Sequence, residues 1–346
     1  MDDIRWETLL QEFPRKKILV LGDFFLDRYL EIDAALDEPS LETGLTAYQV
    51  VGTRLSPGAA GTVANNLVAL GVGHILALGV GGEDGHGLEL RKVMAERQID
   101  AAYMIWDSET VTPTYTKPMR KEDGEERELN RLDFHNRSQL PINLEDELIR
   151  RLWRLVPEVD AVHVMDQVEW EGCGTVTPRV RRELAVIAGQ YPKLPILADS
   201  RANIHRFRDI SIKINVREAL VAAGMEVRDP NEELAARAGE ILAKELAHPV
   251  YVTMAEKGML VVESEGKITH VPAVPISGPI DPVGAGDSVS AAVISALSAD
   301  ASPVEAAILG NVVASITIQQ VGTTGTASPQ QILRRLNDWQ YTLRTL

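Results

Sequence analysis

Short apolar runs alternate with longer amphipathic stretches along most of this chain. Ile18-Leu19-Val20-Leu21 is continuously apolar and closes at Gly22-Asp23, which predicts a strand buried on both faces with a polar carboxyl end. A strand over 74–78 follows, then a Gly-rich turn and a helix reaching Arg97. Beyond Pro141 the spacing predicts helices over 144–155, 176–188 and 232–246, with strands over 161–165, 195–198, 210–214 and 250–253 between them. A β pair at 259–263 and 267–271, small-residue helices at 288–297 and 304–319, and a terminal helix complete the pattern. Strand-helix alternation of this kind predicts a mostly parallel sheet covered on both faces.

Two stretches break the alternation. Residues 45–51 read as a strand, and 112–117 and 127–133 as two more joined across Asp123-Gly124, a hairpin signal. We assign both stretches, about 30–55 and 110–133, to a small β lid outside the main sheet. The expected division is one catalytic domain over 16–336, with 337–346 as the end of the last helix.

Three predicted strands end at polar residues: Asp166, Asp199 and Asn215, with Glu218 one turn beyond the last. That edge is where parallel α/β sheets build their sites. No G-x-G-x-x-G follows the first strand, so a dinucleotide-binding start is not indicated. His86 reads as a loop residue, because no second metal-ligating side chain stands at helical spacing from it.

Composition narrows the class. The 346 residues are 45% hydrophobic and 25% charged, as in globular proteins, and no apolar run is long enough to span a bilayer. The single cysteine, Cys173, excludes an internal disulfide and fits a reducing, cytoplasmic setting, and the acidic N-terminus lacks the features of a secretory signal. A net charge of −15 opposes nucleic acid and anionic membranes as partners. An anionic substrate therefore needs local cations, for which Lys117 and Arg131 are the candidates; as exposed strand residues they have an equally ordinary reading.

The chemistry concentrates in Asp281-Pro282-Val283-Gly284-Ala285-Gly286-Asp287. Gly284, Ala285 and Gly286 carry little side-chain bulk, so their N–H groups can approach a phosphate at the start of a helix, and Asp287 can accept a proton from a hydroxyl that attacks it. The plainer alternative is a Gly-rich turn with Asp287 as a helix cap. Ser56-Pro57-Gly58-Ala59-Ala60-Gly61 opens a second small-residue helix, either for close approach to a ligand or for tight packing on the sheet.

These motifs, in this order, resemble the ribokinase-like, or phosphofructokinase B, family of sugar kinases. Residues 281–287 resemble its C-terminal signature, 56–66 its glycine motif, 82–87 its G-x-D-x-x-G element, and Asn215-Val216-Arg217-Glu218 its N-x-x-E. Within the family the likeness is greatest to kinases of D-glycero-D-manno-heptose 7-phosphate, through Gly22-Asp23-Phe24-Phe25-Leu26-Asp27-Arg28-Tyr29, Thr114-Tyr115-Thr116-Lys117 and Arg131-Leu132-Asp133.

The resemblance implies a three-layer α/β/α sandwich with a small β lid, ATP-dependent phosphorylation of a sugar or sugar phosphate, Mg²⁺, and a monovalent cation such as K⁺. It implies Asp287 as general base and Gly284, Ala285, Gly286 and Asp287 as the anion hole. The acceptor would be held by Asp23, Asp27, Gly58, Ala59, Thr62, Asn66, Lys117, Arg131, Asp133 and Asp281. Asn215 and Glu218 would lie near Mg²⁺ and the phosphates, with Thr253, Glu256, Gly258, Asn311 and Gly322 around the nucleotide. A homodimer joined through the lids is expected, and the cytidylyl-transferring domain fused to some heptose kinases is expected to be absent.

The chain departs from the family pattern at Ala59 and Thr62, where a second Gly and an Asn are usual. Further departures are Val168-Glu169-Trp170 in place of a Lys-Gly, and Pro118-Met119 where another basic residue is usual. They leave open a sugar- or nucleotide-binding protein without catalysis. Phe24, Phe25 and Tyr29 leave open a nucleoside or vitamin-precursor kinase.

Overall fold

The computed structural model describes the backbone of residues 3–122 and 124–345 and the side chains of 4–122 and 124–339. Its centre is an eight-stranded sheet in the spatial order Ile268–Val271, Met259–Val262, Val250–Thr253, Ser211–Asn215, Ile196–Ser200, Ala161–Asp166, Lys17–Gly22, His74–Leu78. The six strands from Val250–Thr253 to His74–Leu78 run parallel; the other two close the sheet antiparallel.

Alternate residues of these strands enter two separate cores. Ile18 and Val20 join one with helices Ala60–Ala69, Ala285–Ser298 and Pro303–Thr317. Leu19 and Leu21 join the other with Ile142–Leu155, Pro178–Gln190 and Glu232–Leu246. Both faces are thus dry, which is why the strands read as unbroken apolar runs rather than alternating ones. All the parallel strands point their carboxyl ends to one edge, bringing Asp23, Asp166, Asp199, Asn215 and Thr253 to the same rim.

The lid is larger than its sequence pattern. Its sheet runs Glu125–Glu128, Thr114–Glu122, Phe24–Asp33, Val50–Ala59, with Leu132–Phe134 also pairing with Thr114–Glu122. Phe24–Asp33 was not expected as a strand; Asp27, Arg28 and Glu31 interrupt its apolar pattern because the same stretch carries site residues. Residues 45–51 contribute only Thr46–Ala47 and the start of Val50–Ala59. That last strand runs through Pro57-Gly58, read from sequence as a helix entry; it lies at the sheet edge, where a missing N–H is tolerated. Glu122 pairs with Glu125 across the hairpin. Gly124 takes φ 84°, and Asp123, the other half of the turn signal, lies outside the described residues. His86 sits in the first turn of helix Gly85–Glu96, not in a loop, with its ring edge-on to Phe134. Among the described residues no helix is long and apolar enough to cross a membrane.

Candidate active site

Helix Ala285–Ser298 starts from Gly284, which adopts φ 77°, ψ 3°. A Cβ at Gly284 would stand 2.5 Å from Thr324 Cγ2, so both the backbone angle and the space require glycine here. Ala285 N–H donates to Pro282 O at 3.1 Å and Ser288 N–H to Gly284 O at 3.0 Å. The N–H groups of Gly284, Gly286 and Asp287 have no backbone acceptor among the described residues, which leaves them for an anion at the positive end of the helix. Ala285 therefore supplies small size rather than a donor. Asp287 is the third helical residue and not the cap, so the plainer reading of this stretch does not hold.

Burial pushes the Asp287 carboxyl up to about 7, helped by the Asp199 and Asp27 carboxylates and opposed by Lys213. Part of its surface still meets solvent, as a base that must meet a substrate requires. Lys213 and Asp199 were not assigned to the site from sequence. Lys213 Nζ lies 2.5 Å from Asp199 Oδ2, and Ser290 Oγ donates to the same oxygen at 3.1 Å. Burial pulls the Lys213 pKa down, but the adjacent Asp199 more than reverses this, so the ammonium stays charged beside the cradle. A Cβ on Gly286 would come within 3.1 Å of Lys213 Nζ. The available signal was a lysine inside an otherwise apolar strand.

Asp27 lies on the lid strand Phe24–Asp33 with Lys117 Nζ 2.9 Å from Oδ1; Lys117 also donates to Tyr29 Oη at 3.2 Å. Gly58 crosses directly beside it, and a Cβ there would stand 2.7 Å from Asp27 Oδ2. Ala59 holds φ 52°, ψ −114°, a conformation suited to glycine, at the entry to helix Ala60–Ala69. Thr62 is buried beneath Gly284.

Several expected ligands are engaged elsewhere. Asp23 is buried and accepts three backbone N–H groups, from Gln167 at 2.9 Å, Val168 at 3.0 Å and Thr175 at 2.7 Å. Burial pushes its carboxyl up despite these bonds. It anchors the loop after the strand Ala161–Asp166 rather than facing a substrate. Asn66 is fully enclosed in its helix, with Nδ2 donating to Thr62 O at 3.0 Å. Asp281 accepts from Val283 N–H at 3.1 Å and Gly322 N–H at 3.0 Å, tying the cradle to the loop at 322. Arg131 forks onto Asp133 at 2.6 and 2.7 Å and lies 4.1 Å above the Tyr115 ring.

On the opposite side, Asn215 and Glu218 form a reciprocal capping box, each side chain accepting the other's N–H at 3.0 Å. Among the described residues no three metal-ligating side chains converge. One carboxylate at the rim suits Mg²⁺, which is commonly carried by phosphates and water with few protein ligands. Thr253 Oγ1 donates to Ile214 O at 3.3 Å, and Asn311 Nδ2 donates to Val271 O at 2.9 Å and Pro272 O at 3.0 Å. Asn311 thus shapes the wall beside it rather than offering its amide N–H groups. Gly258, at φ 91°, packs against Val271 O, while Glu256 and Gly322 are exposed.

Residues 16–331 match the model of the pfkB family carbohydrate kinases. The chain is 30% identical over 341 residues to the bifunctional protein HldE of Trichlorobacter lovleyi, covering 96% of this chain and 65% of that protein. It is 29% identical over 330 residues to HldE of Geobacter metallireducens, covering 94% and 64%. It therefore spans about two thirds of the length of these curated relatives. Phosphofructokinase-2 from Escherichia coli, solved in complex with potassium, superposes with a TM-score of 0.72 at 19% identity, over 93% of this chain and 99% of the other. Arabidopsis thaliana ribokinase complexed with ribose and ATP gives 0.67 at 17%, over 93% and 98%. At these identities the two structures speak for the fold, and the expected ribokinase-like sandwich is the one found. The chain belongs to the pfkB family of carbohydrate kinases.

Proposed function

We propose that this chain transfers the terminal phosphoryl group of ATP to a hydroxyl of a sugar or sugar phosphate, in the manner of a heptose-phosphate kinase. The observation that carries the reading is the joining of a half-open carboxyl with its pKa near 7 to a donor-lined helix start in the same turn. Asp287 would take the hydroxyl proton as the oxygen attacks. The N–H groups of Gly284, Gly286 and Asp287 would hold the negative charge of the transferring group, with Lys213 behind them. Asp27 would orient the acceptor through its hydroxyls, its charge balanced by Lys117. Glu218, with Asn215, would hold Mg²⁺, which when bound neutralises phosphate charge. Thr253, Gly258 and Gly322 would border the nucleotide.

The test is Asp287→Asn. Turnover should fall by roughly 10²–10⁴ with the fold and ATP binding retained; near-normal turnover would reject the mechanism.

The reading extends to a cytoplasmic homodimer. Leu41, Leu45, Val50 and Val51 stand exposed on the lid, an apolar patch of the kind that a second lid would cover. Light scattering at micromolar concentration should give twice the chain mass, and a monomer would count against it. A K⁺ requirement, raised by the potassium complex of phosphofructokinase-2, is checked by comparing activity in K⁺ and in tetramethylammonium salts.

A further inference from the structure

One buried side chain near the cradle is without a partner. His163, in the strand Ala161–Asp166, is fully enclosed, and neither Nδ1 nor Nε2 makes a hydrogen bond among the described residues. Ala161 and Met165, two positions to either side, belong to the core shared with helix Ala285–Ser298, whereas Val162 and Val164 belong to the opposite one. The imidazole therefore faces the layer that carries Asp287. Burial pulls its pKa down to about 4, with Lys213 adding to the effect and Asp199 opposing it, so the ring is neutral and carries one N–H.

Neighbouring buried carboxylates are satisfied. Asp23 accepts three backbone N–H groups, and Asp166 accepts from Ser200 Oγ at 2.8 Å. An imidazole left unbonded in a dry core costs stability, and the side chains of Val20 and Leu197, beside it in register, offer it no bond. A donor kept at that cost calls for an acceptor.

Asp199 has an oxygen to spare. Lys213 Nζ and Ser290 Oγ both meet Oδ2, and Oδ1 accepts no bond among the described residues. Asp199 stands two residues beyond Leu197, the register partner of His163, so the two side chains lie diagonally on one face of the sheet. On a regular parallel sheet such Cβ atoms are about 8 Å apart. An imidazole and a carboxylate close that span directly or through one water. Lys213, next to Asp199 on the adjoining strand, also feels the charges of Asp287 and Glu218 and stands behind Gly286. Both Asp199 and an anion in the cradle would claim it.

We propose that His163 is a positioning residue for phosphoryl transfer: it is the alternative donor to Asp199, taking that carboxylate when Lys213 turns from it to the phosphoryl group in the cradle. The proposal rests on the kinase reading above and adds to it a residue that touches neither substrate. Without His163, releasing Lys213 would leave the mostly buried Asp199 carboxylate with Ser290 alone, which penalises the move. With it, the lysine is free to follow the phosphate while Asp199 keeps its place behind Asp287.

The experiment compares wild type, His163→Leu and His163→Gln, and follows the His163 ring by ¹⁵N NMR in histidine-labelled protein, without nucleotide and with Mg²⁺ and a non-hydrolysable ATP analogue. The ring should pass from unbonded to hydrogen-bonded when the analogue binds, and should already be bonded without it in Lys213→Met. His163→Leu, which removes the unpaired group, should melt about 2–4 °C higher. The same variant should bind the analogue about tenfold more weakly and turn over about tenfold more slowly. His163→Gln, which keeps a donor, should recover most of the loss. An unchanged ring signal, wild-type affinity and turnover in His163→Leu, or no recovery in a folded His163→Gln would overturn the proposal. A ring that responds to the analogue in a chain that phosphorylates no sugar or sugar phosphate would instead reject the kinase reading, so the two fail separately.

Discussion

Lys213 closes on Asp199 at 2.5 Å directly behind the turn that carries Asp287. The pair acts on Asp287 in opposite senses: the Asp199 carboxylate raises its pKa and the Lys213 ammonium lowers it. A base works only when deprotonated, so kcat/KM should rise with pH through about 7 in the wild type. Lys213→Met removes the lowering influence and should move that limb to higher pH. Asp199→Asn removes the raising influence and leaves Lys213 uncompensated, so the limb should move lower. A pH profile unchanged in both variants would show that a different group titrates.

The same elevated pKa makes Asp287 a cost to the fold. Because its folded pKa lies above its unfolded value, the folded state keeps the proton longer, and stability is lost as pH rises from about 4 toward 7. Asp287→Asn should therefore be more stable than wild type at pH 8, by roughly 1–3 kcal/mol, and nearly equal to it at pH 4. Thermal denaturation at the two pH values checks this. An equal difference at both would remove the titration from the explanation.

Ala59 holds a backbone conformation that a Cβ resists, at φ 52° and ψ −114°. Ala59→Gly should relieve strain of about 1–3 kcal/mol, partly offset by about 0.4–1 kcal/mol from the freer unfolded chain. The net expectation is a gain of roughly 1 kcal/mol in urea denaturation. A loss would mean that the Ala59 methyl packs better than its backbone suffers.

Gly58 leaves no room for a Cβ beside Asp27 Oδ2, which would lie 2.7 Å away. Gly58→Ala should displace the carboxylate, raise acceptor KM by about tenfold or more, and leave ATP affinity alone. Loss of ATP affinity in equal measure would place the residue outside the acceptor site.

Asp23 separates a structural from a ligand role. Three N–H groups, two of them buried, lose their acceptor in Asp23→Ala, so the variant should be destabilised by about 2–4 kcal/mol and should show altered Trp170 fluorescence. Unchanged stability with only a raised KM would restore Asp23 to the acceptor site.

The sequence by itself determined the layers and the cradle. Strands buried on both faces leave long apolar runs, and a helix start that must bare its N–H groups beside a carboxylate leaves Gly284, Gly286 and Asp287 in one local motif. Both signals are short-range and survive in the one-dimensional pattern. Only the tertiary structure decided which polar groups are free. Asp23 and Asp281 look in sequence like Asp287, and the difference lies in partners far along the chain: the loop at 167–175 for Asp23, Gly322 for Asp281. Lys213, Asp199 and Asp287 come from separate strands and a helix, and their mutual pKa effects exist only at the distances that the closed sheet sets. A charge's availability depends on what already neutralises it, and that is a property of the fold rather than of the residue type.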